Sequence, residues 1–173
     1  MNPLTAFFEE HETWMEVALE AARQAMARGE VPVGAVLVYP DGRYYVDANA
    51  MEAHRSALEH AEIRVLRQAL RSARSRWLSE ATLYVTVEPC PMCAGAILLT
   101  RIPLVVIGTP DPRAGACGTV VSVLGNVAFN HRPVLVWGVR AAEARQLLQD
   151  FFRQVGRSAD GQMGRWAGRQ VGR

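Results

Sequence analysis

Apolar residues recur at helical spacing from Phe7 to Arg28, where Trp14, Val17, Ala18, Ala21 and Ala25 share one face and Gly29 ends the run. The stretch VPVGAVLVYPDGRYYVDAN then predicts two strands, Gly34 to Val38 and Tyr44 to Ala48, joined by an Asp-Gly turn. A second helix is expected from Leu58 to Ser75, a mostly buried strand in ATLYVTV, and a short helix from Pro91 to Thr100. PLVVIGT reads as another strand, followed by a long connection through Asp111, Gly115 and Gly118. PVLVWGV supplies a fifth strand, and Ala141 to Val155 a last helix. This order implies the α/β class, with a five-stranded mixed sheet between helices on both faces. Residues 1–155 read as one domain, and the Gly- and Arg-rich residues 156–173 as a flexible tail.

Composition narrows the setting. The chain has 173 residues, enough for one domain with a real core. Its three cysteines are too few for a disulfide scaffold and fit reduced thiols in the cytosol. The opening MNPLTAFFEEHE is acidic and lacks the layout of a signal peptide. The most apolar stretch, AGAILLTRIPLVVIG, is broken by Arg101 and Pro103, so no membrane span is expected. The expected location is the cytoplasm. The net charge of +2 conceals an acidic first third and an arginine-rich remainder, and every basic side chain is arginine. Such a surplus suits phosphate, but a GC-rich coding bias produces it equally well. Charge leaves both open.

The chemistry concentrates in VEPCPMCAGAI. Pro89 keeps Glu88 out of the helical region and Pro91 suits a first helical position, so Cys90 caps the helix and Cys93 lies one turn on. Two sulfurs at a helix N-terminus serve a metal or a redox pair. HAEI, at the start of the second predicted helix, favours the metal. There His60 and Glu62 can both reach past the helix end, whereas in mid-helix they would point apart. One histidine and two cysteines leave a fourth position open, as catalytic zinc requires. A structural zinc needs a further ligand, for which Cys117, His54 and His131 are candidates without ligand spacing.

His-x-Glu followed by Pro-Cys-x-x-Cys is the signature of zinc nucleobase deaminases. From residue 7 to 155 the chain resembles the bacterial tRNA-specific adenosine deaminases, on EVPVGAVLV, HAEI, TLYVTVEPCPMCAGAI, DPRAGACGT, NHR and DFFR. The zinc motifs are shared with guanine and cytosine deaminases, and NHR and FFR draw the resemblance toward tRNA. The resemblance implies a cytidine-deaminase-like three-layer α/β/α fold, a homodimer, and one Zn2+ per chain on His60, Cys90 and Cys93. It implies Glu62 as proton shuttle, Asn49 hydrogen-bonded to the base, and Val31 packed on the base's face. It also implies contacts of Asp111, Asn130, His131, Arg132, Phe152 and Arg153 with the tRNA anticodon loop. The implied reaction turns adenosine into inosine at the wobble position. The alternatives are a deaminase of a free base or nucleoside, such as guanine or cytosine, and a non-catalytic RNA-binding subunit. Retained Glu62 speaks against the last.

One departure stands out. The family usually carries Asp-Pro-Thr-Ala before His-Ala-Glu, and this chain has SALE. Glu59 beside His60 is therefore expected to face the mouth of the site and to repel phosphate.

Overall fold

The computed structural model describes residues 3–161. A five-stranded sheet forms its middle layer, in the order β2-β1-β3-β4-β5. The strands are β1 (Gly34–Val38), β2 (Tyr44–Ala48), β3 (Thr82–Val87), β4 (Leu104–Thr109) and β5 (Val134–Trp137). β1 runs antiparallel to β2 and β3, whereas β3–β4 and β4–β5 are parallel, so the sheet is mixed as expected.

The central strands alternate between two hydrophobic layers, because successive residues point to opposite faces. Ala35, Leu37, Leu83, Val85, Val105 and Ile107 face one layer, and Val36, Val38, Tyr84 and Val106 face the other. The first layer is covered by α3 (Ala61–Ser72) and α4 (Pro91–Thr100), through Val65, Leu66, Ala69 and Ile97. The second is covered by α1 (Pro3–Ala27) and α5 (Ala141–Gly161), through Met15, Ala18, Leu19 and Ala144. Burying a side chain of this size contributes about 1.5–3 kcal/mol, so three layers give the site a rigid floor. The closest approach is at Gly34. A Cβ there would lie 2.0 Å from the Ala18 carbonyl oxygen, so even alanine would push α1 off the sheet.

Several boundaries differ from the sequence reading. A short helix, α2 (Met51–His54), interrupts the expected loop. The helix expected from Leu58 begins only at Ala61, because His60 is extended and Glu59 turns back to accept the Ala50 amide at 3.0 Å. The last helix continues past Val155 to Gly161, which corrects the start of the supposed tail. A single glycine costs a helix only about 1 kcal/mol relative to alanine, too little for Gly156 to end one already established. The expectation of flexibility beyond Gly161 falls on 162–173, outside the described residues.

Candidate active site

Two helix N-termini meet at the carboxyl end of β3. On one side Cys90 is the N-cap of α4, extended at φ −73° and ψ 172°, with Pro91 in the first turn. Cys93 follows one turn later and is fully buried. On the other side His60 is the N-cap of α3, extended at φ −74° and ψ 150°. Asn49, leaving β2, holds that helix end: its Oδ1 accepts the Ala61 amide at 2.9 Å. His60 Nδ1 thereby comes 3.5 Å from Cys93 Sγ and 3.6 Å from Cys90 Sγ. The three ligand atoms lie within 4.8 Å of one another, a group that can hold a metal ion. Among the described residues Cys117, His54 and His131 stand outside that group.

Burial and shared hydrogens set the charges. Cys90, hydrogen-bonded by Cys93 and then by His60, has its thiol drawn down to about 4. Cys93 moves the opposite way, because it is the donor to Cys90 and is buried. The bond to Cys90 raises His60. Glu62, in the first turn of α3 and only 3 % exposed, is pushed up to about 7 by burial. A carboxyl poised near neutrality can both take and return a proton at working pH. Burial lifts the Cys117 thiol to about 12, which leaves it inert.

Residues 9–156 match the family model of the MafB19-like deaminases. The tRNA-specific adenosine deaminase of Bacillus subtilis (strain 168) is 42% identical over 145 residues, which span 83% of this chain and 89% of that protein. The chain belongs to the tRNA-specific adenosine deaminase family. The tRNA-specific adenosine deaminase 2 of Xenopus tropicalis is 39% identical, over 84% of this chain and 91% of its own. Among solved structures, one from work on A-to-I editing by tRNA:A34 deaminases superposes with a TM-score of 0.75. It is 39% identical and covers 79% of this chain and 99% of its own.

In this deaminase the residues implied for substrate contact divide into groups. Asn49 is buried beside His60, its oxygen engaged by Ala61. Val31, half-buried, lies in the bend between α1 and β1. Asp111 follows β4 and accepts the Arg113 amide at 2.9 Å, while the Arg113 guanidinium lies 4.9 Å over the Phe152 ring. Asp111 and Phe152 are therefore linked through Arg113. Arg153 pairs with Asp150 one turn back on the exposed side of α5. Asn130, His131 and Arg132 sit elsewhere, before β5 and at the far end of α4. His131 Nε2 donates to the Ile102 carbonyl at 2.7 Å, so this ring anchors the β5 entry. At 1.5 Å per residue, the ten residues of α4 separate that end from the Cys90 end by about 15 Å.

Glu59 does not face the mouth. Its carboxylate accepts Arg64 at 2.9 Å and Arg67 at 3.0 Å along α3, and these arginines hold it below the usual glutamate range, Arg67 foremost. Arg64 also reaches Asp47 of β2 at 2.9 Å. The negative charge expected to repel phosphate is thus spent on a network that ties α3 to the sheet.

Two buried carboxylates went unnoticed in the sequence. Glu30 accepts the Glu52 and Ala53 amides at 3.1 and 2.8 Å and thereby caps α2. Glu88, two residues before Cys90, accepts three amides of the connection after β4. A glutamate in an apolar run, as in TLYVTVEPC, is the available signal: such a residue is buried only when partners await it.

Proposed function

We propose that this deaminase converts adenosine to inosine at the wobble position of tRNA, with zinc held by His60, Cys90 and Cys93. What carries the reading is the junction of three ligand atoms with the buried Glu62, in a chain of a family named for tRNA. The donor set suits zinc. A tetrahedral zinc with a nitrogen at about 2.0 Å and sulfurs at about 2.3 Å has N···S edges of about 3.5 Å. The His60–Cys93 and His60–Cys90 separations are 3.5 and 3.6 Å. Three protein ligands with no fourth are the arrangement of catalytic rather than structural zinc. When bound, the metal supplies Lewis acidity that makes water a nucleophile at neutral pH.

The protein's own groups do the rest. Glu62 takes a proton from the attacking water and delivers it to the ring nitrogen beside the amine-bearing carbon. A second transfer from the same carboxyl carries a proton to the leaving amine, so adenosine and water become inosine and ammonia. Asn49 donates its amide hydrogens to the base, and Val31 packs on the base's face. Asp111, Phe152 and Arg153 meet the anticodon loop, whose bases are already single-stranded and cost little to present. Asn130, His131 and Arg132 extend contact with the same RNA about a helix length away.

The active form is a homodimer in the cytoplasm. An apolar groove of about 440 Å³ between α3 and α4, lined by Ile63, Leu66, Leu70 and Ala96, supports the dimer. Leu99 on its rim is 79% exposed, a cost that a second copy would remove. No helix among the described residues is long and apolar enough to cross a membrane. Ammonia release assayed on tRNA, adenosine, guanine and cytosine tests the substrate: turnover is expected on tRNA, and turnover on a free base alone would favour the other reading.

A further inference from the structure

Glu88 directly follows β3, is 3 % exposed, and stands between the metal-ligand turn and the connection that carries Asp111. Its Oε2 accepts the Asp111 amide at 3.0 Å, and its Oε1 accepts the amides of Cys117 at 2.8 Å and Thr119 at 3.2 Å. The backbone repeats the attachment on both sides. The Glu88 amide donates to Thr109 at 2.9 Å, and the Ala116 amide donates to the Pro89 carbonyl at 2.9 Å. Gly115 lies so close that a Cβ would come within 2.3 Å of Oε2, so the connection wraps the carboxylate with no room for a side chain. A carboxylate that accepts several backbone hydrogens is a strong, directional anchor, since each bond is charge-assisted.

We propose that Glu88 is a positioning residue for substrate recognition. Its carboxylate fixes the connection bearing Asp111, and through Arg113 the Phe152 ring, to the turn that carries Cys90. The RNA-contacting surface is thereby held in register with the reacting centre. This rests on the tRNA reading above for the identity of the substrate, but the anchoring itself does not. The two carboxylate oxygens have different duties, and that difference makes the idea testable. In Glu88→Gln one oxygen can still serve Cys117 and Thr119, while the amide NH2 meets the Asp111 N–H, donor against donor. The variant should therefore release the Asp111 end and keep the other.

The experiment uses zinc-loaded protein. Amide exchange in Glu88→Gln should be faster at Asp111 by roughly tenfold or more, the size of one lost buried hydrogen bond, with Cys117 and Thr119 much less affected. Zinc content should stay at the parental value. The KM for tRNA should rise by roughly tenfold with kcat within about threefold, because binding rather than chemistry is disturbed. Glu88→Gln combined with Asp111→Ala should be no worse in KM than the worse single variant, since both cut the same linkage. If Glu88→Gln does not fold, Glu88→Asp takes its place: it keeps the charge but draws the carboxylate back by one methylene, and faster exchange at Asp111 with parental zinc content is again expected. Unchanged exchange at Asp111 overturns the anchoring. Additive KM effects, or a kcat that falls with zinc content, overturn the positioning role and leave Glu88 structural. If tRNA is not the substrate, the exchange and zinc readouts still decide the anchoring.

Discussion

Asn49 Oδ1 accepts the Ala61 amide at 2.9 Å, and this bond sets where α3 begins and hence where His60 points. Asn49 also carries two amide hydrogens, which the proposed function directs to a bound base. The two duties can be separated. Asn49→Asp keeps the acceptor and loses the donors, so it should fold and bind zinc like the parent while losing most turnover. Asn49→Ala loses both and leaves a buried amide unpaired, a cost of about 1–3 kcal/mol. It should melt at lower temperature as well. Thermal melts and kcat/KM on both variants check this, and equal melting of the two would count against the cap.

Cys90→Ser or Cys93→Ser should remove zinc and activity together, because a hydroxyl is a poor substitute for a thiolate. Cys117→Ser should leave zinc content at the parental level, since Cys117 lies outside the ligand group. Metal analysis of the three purified variants is sufficient.

Glu62→Gln should retain fold and zinc and lose about 10² to 10⁴ in kcat, the usual contribution of a general acid–base group. The neutral amide relieves a buried carboxyl, so its melting temperature should not fall. Turnover within tenfold of the parent would assign the proton transfers to another group.

Glu59→Ala should leave tRNA turnover nearly unchanged, because Arg64 and Arg67 already compensate its charge. It should lower stability by loosening α3 from β2. The pH dependence has a definite sign. A carboxyl held below its ordinary value by arginines stabilises the fold above the ordinary glutamate range and loses that contribution as pH falls through the lowered value. The gap in melting temperature between parent and variant should therefore be full at neutral pH and close in acid.

Most of the sheet was legible because its signals are local. β1, β2 and α4 begin and end where alternation, Asp-Gly and Pro-Cys-Pro placed them. The metal group was legible for the same reason, since each half sits on its own helix terminus. The rest depends on partners distant in the chain. α2 forms under Glu30, and the connection after β4 closes on Glu88; the apolar run marks Glu88 as buried, but nothing local says which amides it holds. The direction of Glu59 was misread because its arginines lie one and two turns along α3. Asn130, His131 and Arg132 were grouped with the site by resemblance, although the chain places them at the other end of α4.

The central claim is wobble-position deamination by the His60, Cys90, Cys93 and Glu62 site. It is tested most directly by incubating the zinc-loaded protein with a tRNA bearing adenosine at that position and sequencing the product. The account predicts inosine, read as guanosine, at that single position, and none with Glu62→Gln. An unmodified tRNA from a preparation that releases ammonia from guanine or cytosine would contradict it.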